Sequence, residues 1–266
     1  MPLITVSGQA PISLRLSRNL TRAIKRGHPW VYADALRHLP PVPPGSQAIL
    51  YDNKKNQPIA VAFFDPKSPL AFRVCTTNVA ERLDDQWARR QFRRALSLRR
   101  MLFDSQTTGY RLFNGEGDGL PGLVCDLYHD TAVLQLDGAG PGGFWHAPGV
   151  ARWLAETLPV RQVYRKPQAR ESGPGEALIG PHPAAPIEFL ENGVHFKVEV
   201  IHGQKTGFFL DQRDNRQRVR TVAAGRRTLN VFGYTGGFSV YAGLGGASHV
   251  TTVDLAGPAL KLAAHN

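Results

Sequence analysis

The segment LNVFGYTGGFS at residues 229–239 is the sequence feature that most constrains the fold. It begins with an apolar run, which predicts a buried strand. Glycines then interrupt the run before an apolar stretch at 238–244, which predicts a helix. A further stretch at 250–254 predicts a second strand that ends in the acid Asp254. This order of elements is typical of an open parallel α/β sheet.

The glycine turn is suited to hold a ligand against the main chain. Glycine adopts positive φ, and the helix that follows presents unpaired N–H groups. Asp254, about 20 residues beyond the turn, carries oxygens that accept hydrogen bonds from ribose hydroxyls. The turn has neither the G-x-G-x-x-G order of dinucleotide sites nor a P-loop Lys. S-adenosylmethionine fits better, although a tight strand–helix junction without a ligand explains the same glycines.

The charge balance indicates a polyanionic partner. The chain has 32 Lys and Arg against 21 Asp and Glu, a net charge of +11, and basic surfaces of this kind concentrate nucleic acid. A solvated basic surface is the alternative. At 266 residues the chain exceeds what one core usually organises, which predicts two or three domains.

The two cysteines and the hydropathy pattern indicate a cellular location. Cys75 and Cys125 lie within apolar, strand-like runs, which is typical of small buried side chains in a reducing compartment. A disulfide or metal site is not indicated. The sequence has no run of about 18 apolar residues and no signal-peptide pattern at its start. We therefore expect a cytoplasmic protein without a membrane partner.

Residues 1–76 alternate short apolar runs with Pro, Gly and Asn turns, which predicts a small β-barrel. A brief helix at 21–26 precedes GHPWVY at 27–32, where basic and aromatic residues interleave as they do in RNA-binding modules. The candidate RNA contacts here are Lys25, Arg26, His28 and Trp30. Trp30 and Tyr32 alternate with Val31, so we expect at least one of the two aromatic rings in the barrel core.

Residues 80–103 contain neither Gly nor Pro and begin with acids, which predicts a long helix. With a helical period of about 3.6 residues, one face turns inward and the opposite face is rich in arginine. The expected inward face comprises Ala88, Phe92, Ala95, Leu96, Leu102 and Phe103. Arg89, Arg93 and Arg100 are candidate phosphate contacts, unless this face is only solvated.

The middle of the chain predicts turns, a hairpin and a loop. Glu116, Asp118 and Asp126 lie in a glycine-rich stretch without the ligand spacing of a calcium loop, which favours a structural turn. Further predictions are a strand at 131–136, a glycine-rich loop at 138–143, a helix at 150–158, a mobile surface loop at 168–186 and a hairpin at 188–201 around Asn192 and Gly193.

The segment GQKTGFFLDQRDNR at 203–216 carries more polar groups beside its two aromatic residues than a plain loop does. It opens a helix predicted at 215–224. The structural explanation of the pattern is a capped helix. Asp211 and Asp214 would cap it, and Arg213 and Arg216 would pair with these acids. A ligand-binding role is the functional one.

Three segments together resemble bacterial class I methyltransferases that modify C5 of a cytosine in large-subunit ribosomal RNA. They are NGEGDGLPGL at 114–123, GQKTGFFLDQRDNR at 203–216 and LNVFGYTGGFS at 229–239. The resemblance spans the whole chain and includes a PUA-like barrel around 27–32. It implies an α/β plus β-barrel fold with a PUA-like RNA-binding barrel at 1–76, a central α+β domain at 77–186, and the N-terminal part of a Rossmann-like methyltransferase domain at 187–266.

The resemblance also implies S-adenosyl-L-methionine as cofactor and ribosomal RNA as partner, and it leaves a homodimer open. The implied cofactor contacts lie in the glycine turn, at the second strand's acid and in the 203–216 segment. They are Phe232, Gly233, Tyr234, Thr235, Gly236, Gly237, Asp254, Lys205, Thr206, Phe209, Asp211 and Arg213. The segment at 255–260 departs from the small hydroxyl residues usual in the family.

The family's catalytic Asp-Pro-Pro strand and nucleophilic cysteine have no counterpart in the sequence. Methylation of cytosine C5 requires a thiolate to add at C6, and neither Cys75 nor Cys125 occupies the matching position. We therefore expect a truncated chain that is inactive alone, and assign no catalytic residue. A non-catalytic RNA-binding protein and an RNA methyltransferase acting on a guanine nitrogen are the two alternatives.

Overall fold

The structure is a computed structural model that describes residues 1–5, 10–66, 69–167, 175–183 and 186–266. The strands are β1 Ile12–Arg15, β2 Trp30–Tyr32, β3 Gln47–Tyr51, β4 Pro58–Phe64, β5 Leu70–Thr76, β6 Gly109–Asn114, β7 Leu123–Tyr128, β8 Thr131–Leu136, β9 Gln162–Arg165, β10 Glu176–Ile179, β11 Ile187–Glu191, β12 Val194–Val198, β13 Arg227–Val231 and β14 His249–Val253. The helices are α1 Thr21–Lys25, α2 Asp85–Leu102, α3 Ala139–Phe144, α4 Ala147–Thr157, α5 Arg213–Val222, α6 Gly237–Leu244 and α7 Gly257–Ala263. Short 3-10 turns span Ala33–Ala35, Gly115–Asp118 and Leu210–Gln212.

The N-terminal strands form a mixed sheet in the order β1-β3-β4-β5-β2. Among the described strands β1 and β2 are its two edges and do not pair with each other, so the predicted closed barrel is wrong. The edge strand β2 is only three residues long, and Ile24 of α1 packs into the core of this sheet. Val31 is the fully buried residue of β2, whereas Trp30 is half-buried and Tyr32 is exposed. The expectation that one of these aromatic rings fills the core is therefore also wrong.

The central sheet has the order β10-β9-β8-β7-β6 and is covered on both faces. The faces alternate along each strand, as β geometry requires. Cys125 and Leu127 point to a core that contains Trp87 of α2 and Trp145. Tyr128 points instead to a second core formed with the β11–β12 hairpin and α6. The central sheet therefore packs against the N-terminal sheet through the first core and against the C-terminal elements through the second.

The glycine-rich segment at 138–143, predicted as a loop, forms most of α3. Its glycines allow the helix to touch the N-terminal sheet, because a Cβ on Gly140 would lie 2.6 Å from Cβ of Asp65 and one on Gly143 would lie 2.1 Å from the carbonyl oxygen of Pro44. The Gly140 N–H donates to Asp65 Oδ1 at 2.9 Å. Tertiary contact thus decides the structure here, against the low helix propensity of glycine.

The predicted mobile loop at 168–186 contains β10, which pairs antiparallel with β9. The prediction of a loop is wrong at residues 176–179. These residues carry no strong strand pattern of their own, and their pairing with β9 makes them a strand. Residues 168–174 and 184–185 lie outside the described residues.

The long helix α2 begins at Asp85, where the Asp84 side chain accepts a hydrogen bond from the Trp87 N–H at 2.9 Å. Ala88, Phe92, Ala95 and Leu96 are buried as predicted. Leu102 is 62% exposed, because the helix ends there, and Arg99 takes the inward position. Both Arg99 terminal nitrogens donate to Asp118 at 2.7 Å.

The buried Arg73 of β5 joins the N-terminal sheet to the central domain. It contacts three carboxylates, those of Asp65 at 3.0 Å, Glu116 at 2.6 Å and Asp137 at 3.0 Å. Asp118 pairs with Arg99 and Asp126 with Arg111 in the same way. The acids of the 116–126 stretch therefore hold arginines, in agreement with the structural-turn prediction.

The C-terminal elements are the hairpin β11–β12, helix α5, and the parallel pair β13–β14 with α6 between them. The hairpin turns at Asn192 and Gly193, both at positive φ (51° and 76°), as its Asn-Gly sequence predicts. Helix α5 starts slightly earlier than predicted, at Arg213. Within the described ranges, no helix is long and apolar enough to cross a membrane.

Candidate functional site

A cleft of about 330 Å³ opens between the segment that follows β12 and the turn that follows β13. The two sequence segments predicted to bind a ligand, 203–216 and 229–239, therefore meet across the cleft, although residues 217–228 separate them in the chain. The residues that line the cleft are Lys205, Phe208, Phe209, Asp211, Gln212, Arg216, Phe232, Gly233, Tyr234, Thr235, Gly237 and Phe238. Eight of them are predicted cofactor contacts.

The turn at 232–237 has an unusual backbone. Phe232 and Tyr234 adopt positive φ, at 59° and 47°, which costs a bulky residue free energy and is found mainly at functional sites. A Cβ on Gly233 would lie 2.5 Å from Cγ2 of Thr252, so only glycine lets the turn pass β14 this closely. The Phe232 side chain is 83% exposed at the mouth of the cleft.

The Asp254 side chain holds this turn in place through hydrogen bonds to backbone N–H groups. Its Oδ2 accepts a hydrogen bond from the Tyr234 N–H and its Oδ1 accepts one from the Ala256 N–H, both at 2.8 Å. The backbone N–H groups of Ala256 and Tyr234 lower the pKa of Asp254. Asp254 is therefore ionised at neutral pH, and it lies outside the lining of the cleft.

Tyr234 links the turn to the opposite wall. Its hydroxyl accepts a hydrogen bond from the Gln204 N–H at 2.8 Å and donates one to the Gly207 carbonyl at 3.1 Å. Its ring meets that of Phe209 edge to face, with centroids 5.3 Å apart. The Tyr234 side chain thus connects the two walls of the cleft.

Lys205 and Asp211 place a cation and a carboxylate close together in the cleft. Lys205 Nζ lies 4.4 Å from the centre of the Phe209 ring and 3.4 Å from Asp211 Oδ1. Burial opposes ionisation of Asp211, but the hydrogen bond from Gln212 and the charge of Lys205 lower its pKa. Opposite charges beside aromatic rings match a zwitterionic ligand with a flat base.

Arg216 forms the floor of the cleft and is fully buried. Its Nε and Nη2 donate to the two carboxylate oxygens of Glu191 at 2.7 and 2.5 Å, and its guanidinium lies 4.7 Å from the Phe208 ring centre. The predicted pairing of Arg216 with Asp211 or Asp214 is wrong, because helix α5 turns Arg216 toward the β11–β12 hairpin. The sequence reasoning also missed Phe208, Gln212 and Phe238 as cleft residues, although each lies within the predicted segments.

Four predicted cofactor residues do not line the cleft. Thr206 is buried, and its hydroxyl bonds to Asp126 and Tyr128 of the central sheet. The Arg213 guanidinium lies over the Phe103 ring at 4.6 Å and faces a neighbouring cavity. Gly236 and Asp254 support the turn from outside the cleft.

The predicted RNA contacts fall into two groups. Lys25, Arg26 and His28 are exposed beside β2, where the Trp30 indole N–H donates to Glu116 Oε1 at 3.1 Å. The second group lies on α2, with Arg93 and Arg100 exposed and Arg89 half-buried. The turn that holds Glu116 also approaches α2, since a Cβ on Gly119 would lie 3.3 Å from Gln91 Oε1. This turn therefore lies between the two groups.

Residues 145–266 match the family described as S-adenosylmethionine-dependent methyltransferase, and residues 14–77 match the PUA-like domain. We call residues 145–266 the methyltransferase-family segment, after this match. This methyltransferase-family segment contains every residue that lines the cleft. The PUA-like match covers most of the N-terminal sheet.

Curated proteins that resemble this chain are named as ribosomal RNA methyltransferases. The ribosomal RNA large subunit methyltransferase of Deinococcus radiodurans is 39% identical over 269 residues, covering 96% of this chain and 65% of that protein. The ribosomal RNA large subunit methyltransferase I of Pseudoalteromonas translucida is 34% identical, covering 92% of this chain and 63% of that protein. The chain thus spans somewhat less than two thirds of the length of these relatives.

Two solved structures share the fold. A Streptococcus mutans protein assigned as an SAM-dependent methyltransferase superposes with a TM-score of 0.83 at 26% identity, covering 96% of this chain and 66% of that one. A second, SMU.776, assigned as a methyltransferase and complexed with SAH, gives a TM-score of 0.82 at 25% identity, covering 96% and 65%. These similarities span both the PUA-like domain and the methyltransferase-family segment.

Proposed function

We propose that this chain binds S-adenosyl-L-methionine in the cleft and serves the methylation of large-subunit ribosomal RNA, at C5 of a cytosine. The observation that carries the proposal is the meeting of segments 203–216 and 229–239 in one cleft within the methyltransferase-family segment. The names of the relatives and the neighbouring structure complexed with SAH support it.

Most of the predicted cofactor residues then have a role in the proposal. The cofactor supplies an electrophilic methyl group on its sulfonium. Lys205 and Asp211 bind the charged groups of its amino-acid end, while Phe209 and Tyr234 pack against its apolar surface. Glycines 233 and 237 let the backbone approach it, and Gly236 lets the turn adopt positive φ. Asp254, through the Tyr234 N–H, keeps the turn in the binding conformation.

The RNA is proposed to bind the PUA-like domain and the arginine face of α2. We propose the division into a PUA-like domain at 1–76, a central domain at 77–186 and a methyltransferase domain from 187 onward. The exposed Lys25 and Arg26, together with Arg93 and Arg100, supply the positive charge that RNA phosphates attract, and His28 is exposed beside them.

The cysteines favour a second candidate. Neither Cys75 nor Cys125 is among the described residues that line the cleft, and burial raises the pKa of both thiols well above the ordinary value. Neither thiol therefore lies in the cleft, where a C5 reaction needs its thiolate. A guanine nitrogen attacks a sulfonium methyl group directly, without a thiolate, and is the second candidate target.

Methyl transfer from isotopically labelled S-adenosyl-L-methionine to large-subunit ribosomal RNA, followed by nucleoside analysis, tests the proposal. Labelled 5-methylcytidine supports the first candidate and labelled methylguanosine the second. Binding of both cofactor and RNA without transfer is consistent with the chain contributing the cofactor cleft alone. A chain that binds RNA but not the cofactor contradicts both candidates and favours a non-catalytic RNA-binding protein.

A further inference from the structure

A second cavity of about 420 Å³ adjoins the cofactor cleft, and the two share Asp211 as a wall. We call it the α2 cavity, because it lies between the end of α2, strand β6 and the start of α5. Its size is within the range of small-molecule sites. The cofactor-binding role proposed above does not use it.

One wall of the α2 cavity is a stack of three flat groups. The Arg213 guanidinium lies 4.6 Å from the centre of the Phe103 ring, and that ring stacks on Tyr110 with centroids 4.6 Å apart. The Arg213 side chain retains 25% exposure. Planar arginine and aromatic groups are the surfaces on which unpaired RNA bases stack.

Another part of the wall offers hydrogen-bonding groups. Asn114 is exposed, and its Oδ1 receives only a long contact, 3.4 Å, from Arg111 Nη1. An amide presents both donors and an acceptor, which is the pattern that matches a base edge. Arg111 itself is held by Asp126 through two hydrogen bonds of 2.8 and 3.0 Å, so this wall is preorganised.

The charges in the cavity favour a base over a phosphate. Arg99 and Asp118 neutralise each other, and Arg213 contacts the exposed Asp214 at 3.1 Å. A site with paired charges does not select a phosphate, whereas carboxylates accept hydrogen bonds from the exocyclic amines of bases.

The approach to the cavity suits an RNA strand. A neighbouring depression of about 480 Å³ along α2 shares Leu98 and Asp118 with the cavity and includes Arg94. Leu98, Met101 and Leu102 are 41%, 76% and 62% exposed on this face. Arg94, which can contact a phosphate, and apolar side chains that can contact bases therefore lie along a path that ends beside the cofactor cleft.

We infer that the α2 cavity binds one unpaired nucleobase of the RNA strand that carries the methylated base. This inference rests on the proposed function. The base stacks on the Arg213 guanidinium, which the Phe103–Tyr110 pair holds in place, and Asn114 reads the edge of the base. Because Asp211 separates the cavity from the cofactor cleft, the bound base holds its neighbour in the strand close to the cofactor.

Fluorescence anisotropy with a labelled single-stranded oligoribonucleotide, and with the same strand made abasic, tests the inference. The double variant Leu102→Ala/Asn114→Ala removes contacts of exposed side chains and no charge. We expect it to bind the intact strand about tenfold more weakly, equivalent to about 1.4 kcal/mol. The slope of affinity against salt should stay the same, since no phosphate contact is lost. Leu244→Ala, which truncates a leucine of similar exposure on α6, is the matched control.

Equal affinity of the double variant and the control, or equal binding of intact and abasic strands by the parent chain, would overturn the inference. Phe103→Ala, checked for folding by its thermal midpoint, should also lose the preference for the intact strand. Calorimetry of the parent chain with S-adenosyl-L-methionine separates the two proposals. If the cofactor binds but bases are not distinguished, only the α2 cavity assignment fails, whereas absent cofactor binding refutes the proposed function itself.

Discussion

The carboxylate of Asp254 accepts a hydrogen bond at 2.8 Å from the backbone N–H of Tyr234, so the residue after β14 fixes the turn after β13. The turn places Tyr234 at positive φ, a conformation that its neighbours must stabilise. The cleft therefore depends on an ionised carboxylate that lies outside its lining.

This bond predicts a pH-dependent contribution to stability. The hydrogen bonds from Ala256 and Tyr234 hold the pKa of Asp254 below its ordinary value of 3.8. A depressed carboxylate pKa stabilises the fold fully above the unfolded-state pKa, and the contribution is lost as pH falls through the folded-state pKa. The thermal midpoint of Asp254→Ala should therefore lie below that of the parent at neutral pH and converge with it in acid. A gap that persists in strong acid would mean that Asp254 acts through something other than its charge.

The buried pair Glu191–Arg216 predicts a large cost when one partner is removed. Glu191→Gln leaves the Arg216 guanidinium buried without a counter-charge, which costs about 3–5 kcal/mol. The double variant Glu191→Leu/Arg216→Met should recover much of this stability, since both charges are then gone. Urea denaturation measures the free energies of unfolding. Asp34→Asn, which breaks the exposed Arg18–Asp34 pair, is the control and should cost less than about 1 kcal/mol.

The arginine face of α2 predicts the salt dependence of RNA binding. Replacing Arg89, Arg93 and Arg100 by glutamine removes up to three phosphate contacts, and each contributes about 0.7 to the logarithmic slope for single strands. We expect a flatter slope and weaker binding at low salt. A control that replaces the exposed Arg161, Arg218 and Arg227 removes equal charge elsewhere. If both triple variants change the slope equally, the α2 arginines are only part of a diffuse basic surface.

The cysteines should react slowly with alkylating reagents in the folded chain. Burial raises the pKa of Cys75 and Cys125, and nearby carboxylates add to the effect, Glu116 at Cys75 and Asp126 at Cys125. The thiolate is the reactive form, so little reaction is expected at neutral pH. Iodoacetamide labelling followed by mass spectrometry should show protection that denaturant abolishes. Rapid labelling of either thiol at neutral pH would contradict this prediction and would make that cysteine a candidate nucleophile.

Local patterns predicted the elements that carry the cleft. The Asn-Gly hairpin, the body of α2 and the turn at 232–237 each have signals within a few residues, such as Asp84 capping α2 and glycines where the chain must turn. The meeting of segments 203–216 and 229–239 followed from family resemblance rather than from periodicity.

The features that sequence reasoning missed depend on contacts distant along the chain. Helix α3 forms against Asp65, which lies 75 residues before Gly140, and Arg216 pairs with Glu191 across a separation of 25 residues. Leu102 fits the helical stripe but falls at the helix end, where it stays largely exposed. Such outcomes depend on tertiary packing, which overrides local propensity.

Calorimetric titration of S-adenosyl-L-methionine into the chain tests the central claim most directly. We predict saturable binding at one site, weakened at least about tenfold in Asp254→Ala through the loosened turn, a change of about 1.4 kcal/mol. Asp34→Ala, at an exposed ion pair in the N-terminal domain, should bind as the parent does. Absence of binding by the folded parent chain, or equal affinity of the parent and Asp254→Ala, would contradict the assignment of this cleft and its turn to the cofactor.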